Sequence, residues 1–99
     1  MDAIETVRTQ LLPLADAVVE QLDADGDPDS ARWFSAVRAS LAAATVEEDL
    51  IMIFIEQLGP TGPMAMSAGF TIEARIRLDA LLERAQEVAF AFSADGDAH

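Results

Sequence analysis

The chain contains no Cys, Lys, Asn or Tyr, and its only His is residue 99. Without Cys, disulfides, thiolate zinc sites and thiol catalysis are excluded. A general base working near neutral pH would therefore have to be a carboxylate whose surroundings favour its protonated form. Asp49 and Glu56 are the candidates for this role. A solvated or salt-bridged strip is the simpler interpretation of both, and the arginines that would face it are Arg32, Arg38 and Arg75.

Basic residues are scarce: six arginines stand against 18 Asp and Glu, for a net charge of −12. Such a charge repels phosphate backbones and anionic lipid, so we expect neither a nucleic-acid nor a membrane partner. It permits a basic protein partner, although solubility alone also explains it. No run approaches the ~18 apolar residues that span a bilayer, and the acidic N-terminus is unlike a secretory signal. We expect a soluble cytoplasmic protein. The absence of Lys, Asn, Tyr and Cys, with Arg as the sole base beside many Ala and Asp, implies the codon bias of a GC-rich bacterial genome.

Motifs for cofactors and metals are also missing. No glycine-rich segment has the spacing of a phosphate-binding loop, and no Glu-x-x-His pair of a di-iron bundle occurs. The aspartates at 23, 25 and 27 match the first three ligand positions of a calcium-binding EF-hand loop. The loop's Gly and terminal Glu are replaced by Pro28 and Phe34, so we expect no specific calcium site. Glu20 with Asp23 is the single obvious acidic i, i+3 pair, and we expect no metal and no cofactor.

The most distinctive feature present is an apolar run at 50–55, Leu-Ile-Met-Ile-Phe-Ile. Thr45 and Glu48 have the spacing of a capping box, and Gly59-Pro60 supplies a stop, so the segment 46–58 is predicted as a helix rather than a strand. Its apolar residues occupy most of the helix circumference. The pattern therefore predicts a nearly all-apolar central helix with Phe54 in the core.

Three further helices are predicted, near 2–22, 28–44 and 71–92. Asp2, Asp27 and Thr71 are their expected N-caps, and Pro13 is expected to bend the first helix without dividing it. Each helix has an apolar stripe at helical spacing. The predicted core positions are Ile4, Val7, Leu11, Leu14, Ala15, Val18, Leu22, Trp33, Phe34, Val37, Leu41, Ala44, Leu78, Leu81, Leu82, Ala85, Val88, Ala89 and Phe92. The fold class is therefore all-α, a single-domain four-helix bundle.

Two segments are expected to lie outside the helices. Residues 59–70 contain three glycines and two prolines, which predict an irregular connection with at most a short turn at Pro63. Residues 93–99 are predicted to be a disordered acidic tail, which limits the helical domain to 1–92.

The sequence favours a non-enzymatic protein–protein interaction module, most simply a homodimer, because its apolar residues exceed what four helices can cover. Alternatives are an inhibitor or immunity-type protein for a basic partner and a carboxylate-based Mg/Mn-dependent enzyme. Met64, Met66 and Phe70 suit either a binding surface or core gaps, and gap filling is favoured. The predicted partner-binding residues are Met64, Met66, Phe70, Ile72, Ile76 and Phe90.

Overall fold

A computed structural model describes the backbone of residues 3–97 and the side chains of residues 4–61 and 63–90. Every regular element in these residues is helical. The elements are α1 (Ala3–Gln10), α2 (Leu12–Ala24), α3 (Pro28–Ala43), α4 (Glu47–Ile53), a π-helix (Phe54–Leu58), α5 (Thr61–Ala68) and α6 (Ile72–Asp97). The predicted all-α four-helix class is confirmed. Its four segments are α1–α2, α3, α4 with the π-helix, and α6, and α5 is a short addition.

The core forms where the apolar stripes of these segments meet. Helix α2 packs against both α3 and α6, while α1 covers α6 and the end of α3. Arg38 Nε donates to Asp16 Oδ1 at 2.6 Å, and Arg77 donates to the Ala17 carbonyl oxygen at 2.9 Å, so α2 is also tied to both neighbours by polar contacts. The largest fully buried side chains are Val7, Leu11, Val18, Leu22, Phe34, Val37, Leu41, Leu50, Thr61 and Leu81.

Pro13 divides the first segment, where the sequence predicted one bent helix. Helices α1 and α2 are separated at Leu11, because proline has no N–H to offer the carbonyl of Thr9. Leu11 keeps right-handed helical angles, and its N–H still donates to Val7 O at 2.8 Å. The apolar stripe therefore stays in phase across the break.

Local capping was predicted correctly at two of the helix starts. Asp27 accepts a hydrogen bond from the Ser30 amide, and Thr71 accepts one from the Ala74 amide. The predicted box of Thr45 with Glu48 is wrong, because α4 begins at Glu47 without a side-chain cap, one residue too late for that pairing. Asp2 lies outside the described residues.

The π-helix ends at Gly59-Pro60, and this pair accounts for its geometry. Pro60 has no N–H, and its ring would crowd the carbonyl four residues earlier in a regular α-helix. The last turn is instead widened, with the Gly59 N–H donating to Phe54 O at 3.0 Å. A Cβ on Gly59 would lie only 2.7 Å from Ile55 O, so this turn requires glycine.

The prediction of an irregular connection over 59–70 is wrong, because α5 occupies 61–68. Pro63 is tolerated there since it lies in the first turn, where backbone N–H groups have no intrahelical acceptor. Thr61 Oγ1 donates to Leu58 O at 2.6 Å and joins the π-helix to α5. Gly69 ends α5 in the left-handed conformation, at φ 70°.

The predicted burial of the 50–55 run is also wrong in part. Leu50 and Ile53 are buried and Phe54 is half-buried, but Ile51, Met52 and Ile55 are exposed. Helix α4 packs against α3 and its π-helical extension packs against α6. Part of its circumference is left exposed, so the third segment lies at the edge of the bundle rather than at its centre.

Helix α6 is longer than predicted. It extends to Asp97, past the end predicted near residue 92. Ser93, Ala94 and Asp95 do not break a helix, and Gly96 weakens one without stopping it. Residues 98 and 99 lie outside the described part of the chain.

Candidate protein interaction surface

Large apolar side chains remain exposed on three helical segments. The exposed set in the described part of the chain is Val46, Ile51, Met52, Ile55, Met66, Ile72, Ile76 and Phe90. Scattered exposed apolar residues are ordinary on a protein surface, but groups of them mark interaction sites. Two such groups occur, one on α6 and one on α4 with its π-helical extension.

The α6 patch consists of Ile72, Ile76 and Phe90, which are 75%, 63% and 76% exposed. These residues lie on the opposite side of α6 from its buried stripe, which is Ala74, Leu78, Leu81, Ala85 and Val88. Ile72 and Ile76 are one turn apart, and Phe90 follows about 21 Å further along the helix at 1.5 Å per residue. The patch therefore points away from the bundle as a strip.

Charges of both signs surround the α6 patch. Over 72–90 the helix carries Arg75, Arg77 and Arg84 together with Glu73, Asp79, Glu83 and Glu87. Arg84 is paired with Glu87 at 3.0 Å, and Arg77 is directed to α2. Asp79, Glu83 and Glu87 follow Ile76 at steps of three and four residues, so they lie on the same face, before Phe90. This part of the outward face is therefore acidic.

The structure separates the six predicted partner-binding residues into two sets. Met66, Ile72, Ile76 and Phe90 are exposed. Met64 and Phe70 are half-buried and pack against the core, with the Phe70 ring centroid 6.2 Å from that of Phe34. These two fill space between helices, the role that the sequence favoured for them.

The second group, the α4 patch, was missed by the sequence analysis and consists of Ile51, Met52 and Ile55. Ile51 and Ile55 continue a stripe at i, i+3, i+4, i+7 spacing whose other members, Phe54 and Leu58, line a cleft of about 220 Å³. Leu82, Ala85, Gln86 and Ala89 of α6 form the facing wall. The sequence contained a sign of this patch, because the run 50–58 has apolar residues on two faces of the helix. The run was nevertheless predicted to lie inside the bundle.

Carboxylates surround the α4 patch. Glu47, Glu48, Asp49 and Glu56 are all exposed, and Asp49 Oδ2 accepts from the Thr45 amide at 3.2 Å. The predicted facing of this strip by Arg32 and Arg38 is wrong, because Arg38 pairs with Asp16, and Arg32 is nearest to Asp29 at 3.9 Å. No Lys or Arg occurs between residues 38 and 75. Every charged side chain of the segment that carries the α4 patch is therefore acidic.

The aspartates of the α2–α3 turn are engaged in structural hydrogen bonds. Asp25 accepts from Gln21 Nε2 at 2.9 Å and from Thr71 Oγ1 at 2.7 Å, which connects the turn to the start of α6. Asp27 caps α3, and Gly26 adopts φ 76°. Among the described residues, no three His, Asp or Glu side chains are placed to hold one metal ion.

Comparison of the chain with protein-family models, with characterised proteins and with solved structures found no match. No helix within residues 3–97 is both long and apolar enough to cross a bilayer.

Proposed function

We propose that this protein is a non-enzymatic protein–protein interaction module that forms a two-fold homodimer through the α6 patch. The observation that carries the proposal is the exposure of Ile72, Ile76 and Phe90 on the outward face of a helix that is otherwise charged. Two-fold pairs are the commonest soluble oligomers, and the same patch must then contact itself. The carboxylates between Ile76 and Phe90 oppose this pairing, and Arg75 of each copy would offset part of the repulsion.

Burial of the α6 patch and the cost of association are of comparable size. Full burial of one large apolar side chain gains roughly 1.5 to 3 kcal/mol, so three from each copy gain at most roughly 9 to 18 kcal/mol. Association costs an estimated 4 to 15 kcal/mol or more in lost freedom. Mutual repulsion of two chains at −12 each opposes the pairing, but a Debye length of ~8 Å at physiological salt screens most of it. Burial of the α6 patch can therefore offset the cost of association, and sedimentation measures the affinity that results.

Sedimentation equilibrium at micromolar concentration in ~0.15 M salt tests the proposal. The parent protein is expected to be dimeric, and the double variant Ile72→Ser/Ile76→Ser monomeric. The matched control is Ile51→Ser/Ile55→Ser, which makes the same chemical change on the α4 patch and is expected to remain dimeric. A monomeric parent, or a dimer that survives the α6 substitutions, refutes self-association through this face.

Two other functions proposed from the sequence have separate tests. An inhibitor or immunity-type role toward a basic partner is favoured by the absence of any base between residues 38 and 75. It predicts a monomer that captures one basic protein in a pull-down. A carboxylate-based Mg/Mn-dependent enzyme predicts a melting temperature that falls in EDTA and recovers with Mg²⁺. The acidic, cysteine-free composition is compatible with the proposed cytoplasmic location in a bacterium, which fractionation of the source cells would test.

A further inference from the structure

We infer that the α4 patch and the adjoining cleft form a docking groove for an amphipathic helix with basic flanks, supplied by another protein. The inference rests on the proposed function as an interaction module, but it concerns a different face and a different class of partner. Apolar helices laid in grooves are a recurring mode of protein recognition, with anchors at i, i+3, i+4 and i+7.

The groove has a deep part and a shallow part. The deep part is the cleft between the π-helix and α6, lined by Phe54 and Leu58 on one side and by Leu82 and Ala89 on the other. Its volume of about 220 Å³ exceeds the ~150 Å³ of an engineered cavity that admits benzene, so it can take one Leu or Phe anchor. Ile51 and Ile55 form the shallow part, being exposed on the same stripe as Phe54 and Leu58.

The π-helix fixes the shape of this groove. Widening of the last turn displaces Leu58 and Gly59 from the positions they would have in a regular α-helix. Gly59 lines the cleft without a side chain, and a larger residue is excluded there because its Cβ would lie 2.7 Å from Ile55 O. Single π turns within helices are frequently found at functional sites.

The charges near the groove indicate which kind of partner it can bind. Glu47, Glu48, Asp49 and Glu56 are exposed on the segment that carries the α4 patch, and no positive side chain occurs between residues 38 and 75. A second copy of this chain would bring the same carboxylates against them. Like charges brought together across an interface are unfavourable, whereas Lys or Arg at the edges of an apolar helix would complete the match. The groove therefore fits a heterologous basic helix better than a copy of itself.

The experiment uses two synthetic 18-residue helical peptides that share Leu anchors at positions i, i+3, i+4 and i+7. One peptide has Lys on both flanks of the Leu stripe, and the other has Glu. Binding of each labelled peptide to the full chain is followed by fluorescence anisotropy in ~0.15 M salt. The Lys peptide is expected to bind, and the Glu peptide is not.

Three variants separate groove binding from general attraction to an acidic protein. Ile51→Ser/Ile55→Ser leaves the charge unchanged and is expected to weaken Lys-peptide binding at least about tenfold, which corresponds to ~1.4 kcal/mol. Ile72→Ser/Ile76→Ser is expected to bind it like the parent. Glu47→Gln/Glu48→Gln/Glu56→Gln tests the charge contribution without touching the apolar residues, and it is expected to weaken binding as well.

Each alternative result overturns the inference in a recognisable way. Equal binding of the Lys and Glu peptides removes the role of charge. Undiminished binding by Ile51→Ser/Ile55→Ser means that attraction to the acidic chain is non-specific, and loss of the dimer in that same variant means that a second copy occupies the groove. If Ile72→Ser/Ile76→Ser is the one variant that fails to dimerise, the proposal of a docking groove is unaffected. The two proposals are therefore tested separately.

Discussion

The Thr71 side chain makes two hydrogen bonds that stabilise the fold. Its hydroxyl oxygen accepts from the Ala74 amide at 3.1 Å and so caps α6, while its proton is donated to Asp25 at 2.7 Å. We predict that Thr71→Ala lowers the free energy of unfolding by about 0.5 to 2 kcal/mol, the usual cost of removing a cap. Urea unfolding is the measurement. Thr71→Ser keeps the hydroxyl and is the control, and an equal loss in both variants would assign the effect to the methyl group.

The large aromatic site of the core is Phe34, and this changes a prediction made from sequence. Phe54 was expected to be fully enclosed, but it is half-buried, while Phe34 is 0% exposed. We predict that Phe34→Ala costs about 3 to 5 kcal/mol, and that Phe54→Ala costs less because it empties a less enclosed site. Parallel denaturant unfolding of the two variants checks the order. A larger loss for Phe54→Ala would mean that the π-helix is held more tightly than its exposure indicates.

At the scale of elements, the π-helix and its terminal pair Gly59-Pro60 act as one unit. We predict that Gly59→Ala destabilises the protein by roughly 1 to 3 kcal/mol, the range for forced overpacking, because its Cβ would lie 2.7 Å from Ile55 O. If Pro60 causes the widened turn, Pro60→Ala allows regular α-helical geometry, in which residue 59 has room for a side chain. The loss of unfolding free energy caused by Gly59→Ala should therefore be smaller when Pro60 is also replaced by Ala. Additive losses in this double-mutant cycle would show that the proline is not the cause.

Several of the features that sequence reasoning predicted well are controlled by neighbouring residues in the chain. The caps at Asp27 and Thr71 and the stripes from Val7 to Leu22 depend on local spacing, and they are confirmed. Helix α5 was missed for a local reason too, since a short turn at Pro63 was allowed but a helix of eight residues was not. The π-helix was missed because the periodicity of the run fits an α-helix almost as well.

The candidate surface was predictable only in part, because exposure depends on which helices cover which faces. Ile72, Ile76 and Phe90 could be found, since each falls on a charged face of its own helix. Ile51 and Ile55 could not, because an apolar run all round a helix predicts burial. Only the three-dimensional arrangement shows that neighbouring elements cover part of α4 and leave Ile51 and Met52 exposed.

At the scale of the whole molecule, the negative charge is distributed unevenly. The segment from 39 to 74 carries Glu47, Glu48, Asp49, Glu56 and Glu73 without a single base, whereas α6 carries arginines among its acids. The two proposed surfaces therefore differ in electrostatic character although both are apolar at their centres. The affinity of binding through each surface should therefore depend differently on salt concentration.

We predict that salt moves the two interactions in opposite directions. Dimerisation brings together two chains of −12 each, so shortening the Debye length from ~10 Å at 0.1 M to ~3 Å at 1 M NaCl should strengthen it. The same screening weakens the attraction between the α4 surface and a Lys-flanked peptide, and the peptide's dissociation constant should rise. Sedimentation and anisotropy across this salt range measure the two trends.

The variant Glu47→Gln/Glu48→Gln/Glu56→Gln provides the control for this comparison. It lies on the α4 surface, so it should flatten the salt dependence of peptide binding, while the dimer still becomes tighter with added salt. Because this variant has a smaller total charge, its dimer affinity should rise less steeply with salt concentration than that of the parent protein. Weakening of both interactions by salt in the parent protein would mean that the dimer is held by charge pairs rather than by Ile72, Ile76 and Phe90. The assignment of self-association to the apolar α6 patch would then be wrong.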